Sequence, residues 1–434
     1  MYRHFLTSLL LLGSISALAQ NPIIRDQFSA DPTARVFEGR IYLYPSHDIS
    51  PVGIPGVRQD WFCMADYHCF SSDNLVDWVD HGVILDQKDV PWGDPTAYSM
   101  WAPDCVQGKD GRYYFYFPDA PQKAPGDNRG GFTVGVAIAD HPYGPFEAHG
   151  TSIQGIRGID PCVLQASNGK NYIYWAGGAL FQAELSDNML ELASEVQRVE
   201  GLPAGFVEGP FAFEHNGKYY LTYPWVREEN GTETLAYAMS DSPLGPWEFK
   251  GIIMEEWSNR CWTNHHSLVE FKGQWYLFYH HNDYSPSFDK NRSVCVDSLS
   301  FNADGTIRQV IPTNRGVGIT DGSSKIQMDR GTLSGGATIA YNDSLQPFSG
   351  WKVILPPGAS VEYSNVNLEK SSSKVWVNEV SPSGKSKIRP IKKTGLKLLV
   401  RSSSPTRSHF NLRLENPSSR PVQVDWISFN KGQR

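Results

Sequence analysis

Short apolar runs broken by glycine-containing turns recur along the chain, and helical spacing of apolar positions is scarce. Five stretches repeat one arrangement. They are ADPTARVFEGRIYLYPS from Ala30, WAPDCVQGKDGRYYFYF from Trp101, IDPCVLQASNGKNYIYW from Ile159, VEGPFAFEHNGKYYLTY from Val207 and NHHSLVEFKGQWYLFYH from Asn264. Each reads as an apolar strand, a turn and an aromatic-rich strand, which is the pattern of a β-hairpin. Segments between them, such as GFTVGVAIADHPYGPFE and TLAYAMSDSPLGPWEFKG, supply two further strands per unit. The units return at roughly fifty- to seventy-residue intervals, and none can bury both of its faces alone. The pattern therefore predicts an all-β chain with a five-bladed β-propeller over residues 21–320. A pair of β-sandwiches is the alternative that would space hairpins in a similar way.

From about Ser323 the text changes. Serine and lysine increase, tryptophan thins to Trp351, Trp376 and Trp426, and short alternating runs such as SKVWVNEV, HFNLRLEN and VQVDWISFN predict a small β-sandwich over 323–434. Charge divides at the same place. From residue 320 onward there are 17 Lys+Arg against 8 Asp+Glu, and before it 22 against 38. A basic end on an acidic body suits either an anionic polymer or a merely solvated sandwich face.

The first twenty residues, MYRHFLTSLLLLGSISALAQ, combine an early arginine, an apolar run and Ala17-x-Ala19, which reads as a secretory signal peptide over 1–19 and predicts a secreted or periplasmic protein. No later apolar run is long enough to predict a transmembrane segment. Six cysteines are too few for a disulfide scaffold and lack metal-ligand spacing, although Cys63 with Cys69 is a local candidate for one bridge. Thirteen Trp and twenty Tyr suit carbohydrate stacking and suit a large β core equally well. Nothing in charge or motif points to nucleic acid.

In a propeller the innermost strand of each blade lines the central channel, so the residue at the head of each repeat faces one mouth of it. Those heads are Asp31, Ala102, Asp160, Glu208 and His265, each eight or nine residues ahead of its turn glycine. Three acids thus converge. Mutual repulsion and lost solvation push at least one of their pKa values upward. A protonated carboxyl facing an ionised one is what glycoside hydrolysis requires.

At these residues the chain resembles glycoside hydrolase family 43, from about Asn21 to Thr320. In that resemblance SADPTARVF carries the general base, Asp31; GIDPCVL carries the acid that tunes and orients its partner, Asp160; and EGPF carries the general acid, Glu208. MWAPD places Trp101 where family members wall the terminal sugar. NRSVCVDSL supplies Arg292, similar to a family arginine that contacts sugar hydroxyls, with a structural ion pair as the other reading. Asp48, at the end of the first aromatic strand, is a further substrate-binding candidate. NHHSLVEF supplies His265, matching an axial histidine that holds water or calcium; His266 competes, since strand alternation lets only one face inward. No organic cofactor is implied, and a structural calcium ion on the axis is the one metal the resemblance suggests. The related fructan-cleaving propellers expect Asn-Asp-Pro-Asn-Gly and Glu-Cys motifs, which SADPT and VEGPF do not match. The implied activity is inverting release of terminal α-L-arabinofuranosyl or β-D-xylosyl units from plant cell-wall polysaccharides or oligosaccharides. An endo-acting arabinanase of the same family, or a propeller that binds carbohydrate without turnover, are the alternatives.

Overall fold

The computed structural model describes residues 21–429 except 26, 76–77, 123–130, 228–230, 257–261, 283, 286, 314–315, 318–325, 329–331, 342–350, 369–373 and 403–408. The segment read as a signal peptide lies outside the described residues. No α-helix occurs among those described, and none is long and apolar enough to cross a membrane.

Five antiparallel sheets follow one another in chain order. The first blade holds β1 (Phe28–Phe37), β2 (Arg40–Asp48), β3 (Asp66–Ser72) and β4 (Val79–Asp86). The second holds β5 (Asp104–Gln107), β6 (Tyr113–Asp119), β7 (Thr133–Ala139) and β8 (Glu147–Ala148), and the third β9 (Ile159–Gln165), β10 (Asn171–Ala176), β11 (Leu180–Leu185) and β12 (Gln197–Arg198). The fourth is built from β13 (Phe206–Val207), β14 (Phe211–His215), β15 (Lys218–Val226), β16 (Glu233–Ser240) and β17 (Glu248–Met254). The fifth has β18 (His266–Phe271), β19 (Gln274–His281) and β20 (Ser293–Leu299).

The aromatic second strand of each hairpin explains the high tyrosine content. The hydroxyls of Tyr44, Tyr116, Tyr174 and Tyr220 donate to the carbonyls of Pro142, Met189, Pro243 and Gly305, each in the next blade along. A buried phenol needs a partner, and here that partner staples neighbouring blades. The ring closes by a different device. Ile23 N donates to Val294 O at 2.9 Å, Ser29 N donates to Arg292 O at 2.9 Å, and the Asn21 side chain brackets the backbone of Val296. On the axis Arg35 ties blades together, bound to Asp104 at 2.9 and 2.6 Å and to Val163 O at 3.0 Å, with its guanidinium 4.9 Å from the Phe211 ring centre.

Beyond the propeller, β21 (Ile326–Gln327), β22 (Thr332–Ser334), β23 (Thr338–Tyr341), β24 (Trp351–Leu355), β25 (Ser360–Asn367), β26 (Trp376–Val380), β27 (Ser386–Pro390), β28 (Lys397–Ser402), β29 (His409–Glu415) and β30 (Val422–Ser428) form two sheets. One runs β23-β24-β30-β26-β27 with β21 beside β30, and the other β22-β25-β29-β28. Val353, Val361, Val377, Leu412, Leu414 and Val424 fill the space between them. Trp426 is buried and so offers no surface platform for a sugar ring.

The candidate Cys63–Cys69 bridge is not formed; both are free, buried thiols. They face different surroundings. Cys63 lies near Asp48, whereas Cys69 packs in the first blade's core with its thiol toward Pro142 O.

Candidate active site

Two of the three acids sit at matching irregularities. Asp31 and Asp160 each precede a proline, carry positive φ angles of 47° and 57°, and coincide with a register shift in their ladders. Proline cannot donate to the ladder, so the strand bulges and aims the preceding side chain out of the pleat. A left-handed conformation in a non-glycine residue costs on the order of 1 kcal/mol or more, and such strain concentrates where function fixes a side chain. In the fourth blade the residue before proline is Gly209, with φ 49°, and a Cβ there would come within 3.0 Å of the Pro224 ring and of His265 Nδ1. The acid therefore moves one position upstream to Glu208, between β13 and β14.

Asp31 lies in a basic shell. Arg292 grips it with two bonds of 2.8 and 3.1 Å, Ser46 Oγ donates to Oδ2 at 2.5 Å, and His280 Nδ1 accepts the Asp31 amide at 3.1 Å. His265 Nδ1 lies 4.0 Å from Oδ1. Burial opposes the ionised form of Asp31, but Arg292, His280, His265 and the Ser46 hydroxyl outweigh it and bring the pKa down to about 2.

The opposite side of the site is acidic. Asp160 Oδ2 accepts the Gly209 amide at 3.0 Å, which anchors the backbone beside Glu208. Burial first, then the charge of Glu208, then that of Asp31 raise Asp160 well above the ordinary carboxylate range. Glu208 is likewise raised by burial, then by the charge of Glu233 and a hydrogen bond with it, and then by Asp31. Glu233, at the start of β16, is itself buried and accepts the Asn264 amide at 2.5 Å. The partner pressing most on Glu208 is thus Glu233, whereas the sequence pattern points to Asp160.

The remaining candidates fall into place around this core. Arg292 is buried and also holds Asp48, through contacts of 2.9 Å from Nε and from Nη2 and 2.8 Å from its amide. Asp48 is therefore a buried anchor for Arg292 and not a lining residue. Of the two histidines, His265 faces Asp31, while His266 Nε2 meets Thr222 Oγ1 at 2.6 Å in the fourth blade. Burial lowers the His265 pKa to about 4, with Asp31 opposing and Arg292 assisting, so the ring is neutral near pH 7. Calcium takes six to eight oxygen ligands. At His265 the protein offers one imidazole beside a carboxylate paired with Arg292, so waters would have to supply most of such a shell.

Trp101 is half-buried, 4.5 Å from Phe132 and 6.0 Å from Phe62 between ring centres. Phe62 in turn lies 4.8 Å beneath the Arg292 guanidinium and 6.1 Å from Trp262, so an aromatic wall continues from the ion pair outward. Ser46, Phe62, Glu233 and His280 belong to this neighbourhood and were not among the sequence candidates. None stands at a repeat head. Only Ser46, two residues before Asp48, and His280, on the hairpin opposite His265, carried a positional signal.

A site on the axis of a β-propeller that draws one carboxyl's pKa down and pushes another's up is the pairing that a glycoside hydrolase uses. Residues 19–307 match the family described as Glycosyl hydrolases family 43. The chain is 36% identical over 329 residues to a xylosidase/arabinosidase of Bacteroides ovatus, covering 66% of this chain and 95% of the relative. It is 35% identical over 331 residues to a beta-xylosidase of Xylanibacter ruminicola, covering 66% and 98%. Among solved structures it is similar to a GH43 beta-xylosidase/alpha-arabinofuranosidase from a compost microbial metagenome in complex with xylotriose, in its calcium-free form. That likeness has TM-score 0.59 and 34% identity, over 68% of this chain and 98% of that one. An arabinoxylan arabinofuranohydrolase from Bacillus subtilis shares the fold over 96% of this chain and 98% of its own, with TM-score 0.58 at 20% identity. The chain belongs to glycoside hydrolase family 43.

Proposed function

We propose that this hydrolase removes terminal β-D-xylosyl and α-L-arabinofuranosyl units from plant cell-wall oligosaccharides, with inversion, as an exported enzyme. Relatives whose names carry both sugars support the dual reading. The sequence alone leans slightly toward arabinose. The observation that carries the reading is the opposed states of Asp31 and Glu208 in one buried site.

Asp31, ionised and fixed by Arg292, takes a proton from a water as that water attacks the anomeric carbon. Glu208 gives its proton to the departing glycosidic oxygen. The bond to the leaving group breaks as the bond to water forms on the opposite face, so configuration inverts. Afterwards Asp31 is protonated and Glu208 ionised, and exchange with solvent restores both. Asp160 holds the Gly209 amide beside Glu208, while burial and then Glu233 favour the neutral form of Glu208. The half-buried Trp101 forms the apolar wall for the sugar. No step runs through calcium.

Initial rates on aryl β-D-xyloside and aryl α-L-arabinofuranoside test the sugar assignment, and anomeric proton NMR on xylobiose tests inversion. Turnover of both with the α-anomer of xylose appearing first is expected. Silence on both substrates, with activity confined to internal linkages of arabinan, would replace this reading with the endo-acting one.

A further inference from the structure

Away from the acid pocket, the first blade carries a second cluster of chemistry-bearing side chains. Ser46 pairs with Tyr67 across β2 and β3, so His47 lies opposite Asp66, and His68 follows Asp66 on the same face two residues on. His47 Nδ1 is 2.8 Å from Asp66 Oδ1, and His68 Nε2 is 3.8 Å from the same oxygen. The ligand atoms of all three residues lie within 4.8 Å of one another. Two imidazoles thus converge on one carboxylate. From the geometry we infer that His47, Asp66 and His68 bind a divalent transition-metal ion, zinc being the best match.

Distances support that assignment. Ligands about 2.0–2.1 Å from a tetrahedral zinc are about 3.3 Å apart. The two spacings to Asp66 bracket this value and the two imidazole ligand atoms lie within 4.8 Å of each other, so side-chain movements on the order of an ångström close the site. Ligand type selects the metal. Two imidazoles with a single carboxylate suit zinc and its neighbours and are poor for calcium or magnesium, which require oxygen.

An outer partner is also present. Asp80, on β4, meets His68 Nδ1 at 3.0 and 3.2 Å. A carboxylate on the far nitrogen of a metal-binding histidine fixes its tautomer and orientation, leaving Nε2 as the ligand. The Phe70 ring lies nearly parallel to His68 with centroids 6.0 Å apart, and His47 stands edge-on to His68 at 5.1 Å, which limits both rings. Asp66 and Asp80 together balance a dication. The three ligand side chains are only 16–20% exposed, so solvent reaches the site and a water can complete the coordination.

Strand alternation keeps this site apart from the chemistry. Ser46 and Asp48 face the pocket, binding Asp31 and Arg292, and His47 between them points to the other side of β2. A bound ion therefore clamps β2 to β3 directly behind the residues that fix Asp31, and its role is structural.

The test uses untagged full-length protein stripped of metals with a chelator. Zinc chloride titrated calorimetrically should bind one per chain and raise the melting temperature. His68→Gln and Asp66→Asn should abolish both effects while retaining wild-type melting without metal. Asp80→Asn should weaken binding by about 10–100-fold. His141→Gln, altering an exposed histidine of the second blade, should leave it unchanged. Absence of saturable binding to the wild type overturns the assignment. So does equal binding by His68→Gln, or a loss in His141→Gln matching that in His68→Gln.

Discussion

The two sides of the acid pocket are built from similar hairpins and give their carboxyls opposite surroundings. Blades one and five place Arg292, His265, His280 and the Ser46 hydroxyl around Asp31. Blades three and four place Asp160 and Glu233 around Glu208. Asp31 is buried and Glu208 is half-buried, and desolvation alone would push both pKa values up. The neighbours decide the outcome. A basic shell brings Asp31 down to about 2 against the effect of burial, whereas at Glu208 burial and then the carboxyl of Glu233 both push the pKa well above its usual range. One fold thus prepares a base and an acid at the same pH, as paired carboxyl chemistry demands.

Removing the proton from the acidic side should have the largest effect. Glu208→Gln should lower kcat on xylobiose about 10³-fold, the scale of a lost general acid, while oligosaccharide binding measured by calorimetry persists. Its stability should change in the other direction. A carboxyl with a raised folded-state pKa is neutral in both states at low pH, and costs stability progressively as pH rises from its unfolded pKa toward the folded one. Glu208→Gln should accordingly melt higher than wild type at pH 8 and close to wild type at pH 4.

Breaking the basic side comes next. Arg292→Met leaves Asp31 and Asp48 buried without their cation, and loss of one member of a buried ion pair costs about 3–5 kcal/mol of stability by denaturant titration. The contribution that Asp31 makes through its depressed pKa is present above the ordinary aspartate range and is lost as pH falls toward 2. The stability gap between variant and wild type should narrow accordingly in acid.

Two smaller changes sharpen the contrast without dismantling it. Glu233→Gln keeps an oxygen for the Asn264 amide but removes a negative charge from Glu208. The alkaline limb of kcat/KM should move to lower pH, with rates near pH 6 little altered. Ser46→Ala removes one hydrogen bond from Asp31, and the acidic limb should rise by about one pH unit. A shift of the alkaline limb in that variant would show that the two sides are not independent.

The fold was legible because the repeats announce themselves. Each hairpin has its own turn glycine, and counting back from it reaches Asp31 and Asp160 at their bulges and Glu208 one position before Gly209. The paired environments were less visible. Glu233 starts β16 and His280 lies one residue before the end of β19, so neither sits at a repeat head. Asp48 was visible as a polar residue ending an aromatic strand, but strand pattern does not reveal that Arg292, more than two hundred residues later, consumes it. Cys63 and Cys69 show the same limit. Six residues apart in sequence, they face Asp48 and Pro142 respectively.

The most direct measurement is difference infrared spectroscopy of the carboxyl C=O stretch at pH 7, comparing wild type with Glu208→Gln and Asp31→Asn. The band of protonated carboxyl should lose intensity in Glu208→Gln and persist in Asp31→Asn. A band that survives in Glu208→Gln but disappears in Asp31→Asn would assign the proton to the other side of the pocket and reverse the roles of acid and base.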